Sequence, residues 1–260
     1  MSSVLITTAP RSVGDAMAAR LREISLVVLA CGVAGALVGG VGSRIMMRLS
    51  ALAAPEARGA LTENGSVVGE ITLEGTLALM LFAGIGSAVI GAGAFTVLRP
   101  WLPSGTVARG LVFGGFLLAF LGSAVVGPAN ADFVVLGDRA LNVGLFSALF
   151  LAFGLVASGV LSGLDARLAP AATLSPRGWT LTVIGALPVV PGIVALALGP
   201  SSDLGLALVG ASVAMVAAER LERQGRRGPA QLARMGATAA LVAVTALAGA
   251  NYVDGVRTIL

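Results

Sequence analysis

The chain contains neither lysine nor histidine, and all seventeen of its basic residues are arginine. Without lysine there is no retinal or pyridoxal Schiff base and no phosphate-loop lysine. Without histidine this chain offers no His-ligated haem, no His-bearing zinc site and no Ser-His-Asp triad. Its single cysteine, Cys31, cannot form an internal disulfide or hold a cluster, and in an apolar run it reads as a small buried hydrophobe. No cofactor and no metal are expected. Charge is scarce as well: 12% of residues are charged and 57% are hydrophobic, where a soluble domain carries about 25% charge. A soluble globule with that balance could not build a polar skin, so lipid is the expected solvent. The absence of lysine beside abundant Ala, Gly, Val and Arg implies a GC-rich bacterial genome.

What is present is long apolar runs. Seven are read: 24–46, 75–98, 110–127, 140–164, 179–198, 204–218 and 236–252. About 20 residues cross a roughly 30 Å hydrocarbon layer as a helix. The runs at 24, 75, 140 and 179 meet that length, while the sixth is the weakest and either extends through "ERLE" or dips in without crossing. Continuous runs, not alternating ten-residue segments, indicate helices over a β-barrel. The expected fold is an all-α transmembrane bundle of about seven spans forming one membrane domain over 1–260.

Arginine placement sets the expected orientation. With the N-terminus inside, twelve arginines fall on inner segments and five on outer ones, as the positive-inside rule requires. The bacterial cytoplasmic (inner) membrane is the expected location. "ALAAP" at 51–55 resembles a cleavage site, but the apolar stretch before it is too long and is followed by two arginines, so no cleavage is expected. Residues 1–23 form an inner segment in which Val13, Met17 and Leu21 share a face that could lie flat in the interface. Residues 51–73 form an outer acidic loop, where "NGS" at 64–66 matches a glycosylation pattern by chance. Residues 219–235 form a basic inner loop expected to break at Gly228-Pro229. There Arg220, Arg223, Arg226 and Arg227 would meet anionic headgroups. Nucleic acid is not an expected partner.

Small residues recur at helical spacing: Gly35 and Gly39; Ala83, Ser87 and Gly91; Gly115, Ala119, Ser123 and Gly127; Gly159 and Gly163. Such ladders let helix backbones approach closely, either within one bundle or at an interface with another subunit or a second copy. "GSAVIG" and "GSAVVG" (86–91 and 122–127) have no matching flanks and read as low complexity. The fifth run holds Pro188 and Pro191, which remove backbone donors and kink the helix.

Arg44 and Arg48 stand four apart where the first run ends, on one helical face. Either they snorkel to lipid phosphates, or they clasp Glu70 and Glu74 at the start of the second span. A further outer polar group is Asp132, Asp138 and Asn142, with Asp138 placed to cap the fourth helix. No Asp or Glu falls mid-span in any run, which weighs against a proton- or sodium-coupled carrier.

Three functions remain. The leading one is a non-catalytic accessory or structural subunit of a membrane complex. The alternative is a carrier or channel for a small solute, using the proline break. The third is a lipid-modifying enzyme using outer carboxylates such as Glu70 and Asp132. An odd number of spans places the two ends in opposite compartments. A reporter fused at the N-terminus should therefore read cytosolic and one fused after Leu260 external; the same reading from both ends would refute seven crossings.

Overall fold

The computed structural model describes residues 13–55, 59, 72–126, 138–168, 170, 175–199 and 202–260. Among these the regular structure is helical throughout, and seven helices are long and apolar enough to cross a membrane. The first crossing is one unbroken rod built from α1 (Val13–Ala34), a π-helical stretch (Gly35–Gly42) and α2 (Ser43–Ala53). The others are α3 (Leu73–Leu98), α4 (Thr106–Val125), α5 (Arg139–Arg167), α6 with α7 (Pro176–Ala186, Val189–Leu198), α8 (Ser202–Arg223) and α9 (Arg227–Ile259). The helices alternate in direction, so the described charged residues gather at two ends. The N-terminal end collects the start of α1 and the ends of α3, α5 and α8.

Exposed side chains tell where lipid lies. On α3, Leu77, Leu81, Phe82 and Ile85 are each more than half exposed, and Phe82 reaches 74%. A contiguous face of large apolar side chains that open is what a hydrocarbon surrounding solvates. On the inside, Phe113 of α4 is fully buried and meets Phe95 of α3 edge-on at 5.1 Å, with Phe153 of α5 at 6.1 Å. Cys31 is buried beside Gly91 and Phe153, as a small apolar group would be.

Two expectations are corrected and one open alternative is resolved. The N-terminal segment from Val13 does not lie apart as an interfacial helix; it continues straight into the first crossing. Nothing between 13 and 34 breaks the hydrogen-bonded ladder, because no proline and no capping sequence intervenes. Of the two alternatives for the sixth run, extension through "ERLE" is the one found: it is a helix of 22 residues, long and apolar enough to cross. The basic segment 219–235 is mostly helix, and Gly228-Pro229 does not break it. The turn lies at Gly225, whose φ of +79° is the left-handed conformation glycine adopts freely. Arg226 N–H donates to the Leu221 carbonyl at 2.9 Å and Gly225 N–H to Glu222 at 2.9 Å, the Schellman closure of a helix. Pro229 falls in the first turn of α9, where its missing N–H has no helical partner to lose.

The helices touch through glycine. A Cβ on Gly154 of α5 would overlap the Gly110 carbonyl of α4, and one on Gly114 would lie 2.6 Å from the Phe150 carbonyl. Gly192 of α7 has room only for hydrogen beside the Val89 carbonyl of α3, and Gly93 faces it in return. The ladders Gly35/Gly39 and Ala83/Ser87 meet each other, so both serve internal packing. A Cβ on Gly115, Gly159 or Gly163 would meet nothing within 4 Å among the described residues. The fifth crossing is broken at Leu187-Pro188, as its prolines require. That break sends α6 against α1 while α7 turns onto α3.

Gly192→Ala should therefore lower stability by about 1–3 kcal/mol through overpacking. Gly210→Ala, into open space, should cost nothing and could add a few tenths through helix propensity. Thermal unfolding of the two variants in detergent distinguishes them.

Candidate functional site

Polar side chains inside the bundle form two groups, one toward each end. At the N-terminal end, Arg109 in the first turn of α4 donates from Nε to Ser158 Oγ at 2.9 Å and from Nη2 to Ser162 Oγ at 2.6 Å. Ser158 is fully buried and donates to the Thr106 carbonyl at 2.7 Å; the Thr106 and Ser162 hydroxyls lie 2.9 Å apart. This network pins α4 to α5 where Gly110 and Gly154 have already brought the backbones together. Close by, Arg22 of α1 reaches Asp165 at 2.6 Å and the Leu168 carbonyl at 2.9 Å. A cation there also suits the negative end of the α5 dipole. Glu23 pairs with Arg99 and, at 3.5 Å, with Arg20. Trp101 donates to Thr238 at 3.2 Å and so ties the end of α3 to α9.

At the opposite end, α2 and α5 meet through a buried pair. Ser50 Oγ lies 2.6 Å from Asn142 Oδ1, and both residues are fully buried. Among the described residues, Asn142 Nδ2 is buried with no hydrogen-bond partner, as is Arg44 Nε. Arg44 is only 6% exposed, and its guanidinium lies against Gly75, where a Cβ would stand 2.5 Å from Nη2. The side chain thus crosses from α2 to the first turn of α3, and Gly75 leaves the space for it. Arg139 donates to the Ile259 carbonyl at 3.1 Å and closes the C-terminal end of α9. Ser147 and Tyr252 hydroxyls lie 2.6 Å apart between α5 and α9.

The residues singled out from sequence are distributed as follows. Asp138 caps α5, accepting from Leu141 N–H at 3.0 Å. Asn142, one turn further, is the buried partner of Ser50. Arg44 packs against Gly75 of α3, but among the described residues the expected Arg–Glu clasp is not formed with Glu74, which is exposed. Arg48 is exposed and engaged. Glu70 and Asp132 lie outside the described residues. Pro188 and Pro191 stand at the break, with Gly192 pressed on α3 directly after it. Arg220 and Arg223 close α8, while Arg226 and Arg227 stand at the turn into α9. Ser50, Ser158, Ser162 and Arg109 were missed. Ser158 and Ser162 at a spacing of four in an apolar run were a signal, but nothing in the sequence named α4 as their partner.

Two apolar cavities lie in the half of the bundle away from the N-terminal end. One, about 310 Å³, is bounded by Val38, Gly39, Ser87, Phe146, Phe150 and Phe153. The other, about 360 Å³, is bounded by Phe120, Ala124, Val194 and Leu198. Ile90 and Leu121 line both and separate them. Among the described residues no group of three or more cysteines or carboxylates converges as a metal site.

The Ser50–Asn142 contact is testable through the asymmetry of buried hydrogen bonds. Ser50→Ala should cost about 1–2 kcal/mol because it strands the Asn142 carbonyl, and adding Asn142→Leu should recover most of that loss. A double-mutant cycle followed by thermal unfolding checks it; additive losses would mean the contact contributes nothing. Comparison with protein-family models, with curated proteins and with solved structures returned no match.

Proposed function

We propose that the protein is a multi-pass bacterial inner-membrane protein, cytosolic at its N-terminus, that acts as a structural or accessory subunit of a membrane complex. The observation that carries this reading is the outer face of α5. Gly144, Ala148, Leu155, Gly159 and Ala166 are exposed on one side of this helix, with Ala152 and Gly163 between them. Among the described residues, a Cβ placed on Gly144, Gly159 or Gly163 would meet nothing within 4 Å. At about 1.5 Å per residue the stripe runs for roughly 33 Å, the full thickness of the hydrocarbon. In lipid such a face offers a neighbouring helix the backbone approach that glycines provide elsewhere inside this bundle. The polar residues support the same reading, since Arg109, Ser158, Ser50 and Asn142 contact other helices of the chain and hold them together.

Extraction in mild detergent should recover the chain with a different membrane subunit in fixed stoichiometry by native mass spectrometry. Gly159→Leu with Gly163→Leu should release that partner while leaving the thermal unfolding temperature unchanged. Recovery of the wild-type chain alone, or retention of the partner by the double variant, would refute the assignment.

A further inference from the structure

We propose that the cleft between α1, α3 and α8 at the N-terminal end is a binding site for one anionic phospholipid. Three helices grade from apolar to charged in the same direction around it. On α1 the lining passes from Val27 and Ile24 to Glu23 and Arg20; on α3 from Phe95 and Thr96 to Arg99; on α8 from Ser212 and Val216 to Glu219, Arg220 and Arg223. Ile24, Val27, Phe95 and Val216 lie deeper in the bundle than the charged members of their own helices, while Ala16, Met17 and Pro100 lie beyond those charges at the mouth of the cleft. The step of seven residues from Val27 to Arg20 spans about 10 Å, which leaves a charged rim over an apolar floor.

The space is about 440 Å³, within the usual range of roughly 300–1,000 Å³ for a small-ligand site. It opens sideways, because Met17 is 61% and Val216 47% exposed. A molecule can therefore enter from the bilayer without passing through water. The rim is positive, with four arginines against two glutamates. Glu23 engages Arg20 and Arg99 and holds those guanidiniums over the cleft. Arg220 and Arg223 form no ion pair among the described residues. Guanidinium is a planar, permanently charged donor that matches phosphate oxygens in pairs. The headgroup phosphate takes the rim, and the first carbons of an acyl chain lie on Ile24 and Val216, above the buried Val27 and Phe95. A soluble anion would leave that apolar floor uncovered. This site is independent of the partner-binding face on α5, which lies on another helix, so either assignment can fail without the other.

The test is native mass spectrometry of the full chain in mild detergent, with phosphatidylglycerol and phosphatidylcholine of identical acyl chains. One phosphatidylglycerol should be retained and phosphatidylcholine lost. Arg220→Gln with Arg223→Gln should weaken retention by about 30-fold at low salt, taking the usual contribution of each interfacial arginine. Arg226→Gln with Arg227→Gln, at the neighbouring turn but outside the cleft, should change it less than twofold. Val216→Trp should also weaken it, by filling the floor without altering charge. Equal loss in the 226/227 variant would mean a diffuse basic belt and overturn the site. Equal retention of phosphatidylcholine, or displacement of the lipid by millimolar inorganic phosphate with no effect of Val216→Trp, would overturn it too. Circular dichroism on each variant confirms that the helices persist, and Arg223→Gln alone provides a milder version of the charge test.

Discussion

The bundle depends on the approach of one backbone to another. In hydrocarbon a leucine gains nothing by turning from lipid toward a neighbouring helix, so dispersion at close range and hydrogen bonding must supply the attraction. Dispersion falls steeply with separation, and small residues, glycine above all, let two helical backbones come close. The crossings of α4 with α5, and of α3 with α7, are built this way: Gly110, Gly114 and Gly154 in the first, Gly93 and Gly192 in the second. The π-helical stretch extends the same device along the first rod, where Gly35, Gly39 and Gly40 press on Met80, Ala83 and Ser87.

Side-chain hydrogen bonds then reinforce crossings that glycine has made close. Arg109 reaches two serines of α5 because the helices already touch at Gly110. A long cationic side chain near a helix end costs less in lipid than one at the centre, and here its donors are satisfied by hydroxyls. Arg22 and Arg139 act in a related way, each closing the C-terminal end of another helix, α5 and α9 respectively. The proline break works with the same logic. By bending the fifth crossing at Leu187-Pro188, it allows one segment of chain to pack on α1 with its first half and on α3 with its second.

The fold class was legible because hydrophobic run length is a direct measure of membrane thickness. Helix ends were less so. Runs 204–218 and 236–252 mark only the greasy parts of α8 and α9, and hydropathy is blind to the helical turns that continue beyond the hydrocarbon with Arg and Glu on them. The Gly-Pro at 228–229 misled because proline stops a helix only after its first turn, and the sequence did not reveal where α9 began. Asp138 was readable as a cap since capping is local. Ser50 with Asn142, and Arg109 with Ser158, were not, because residues 92 and 49 positions apart in the chain are joined only by the choice of helix neighbours. Of the small-residue ladders, periodicity marked each one but could not say which meet another helix of the chain and which face outward.

The lone thiol has a practical consequence. Cys31 is 1% exposed, enclosed by Gly91 and the Phe153 ring, and so is shielded from bulky water-borne maleimides. Any cysteine introduced at an exposed position would then be labelled without background. The native chain thus serves as its own blank for mapping accessibility, attaching spin probes or measuring distances between helices, with no need to remove a residue that helps fill the centre.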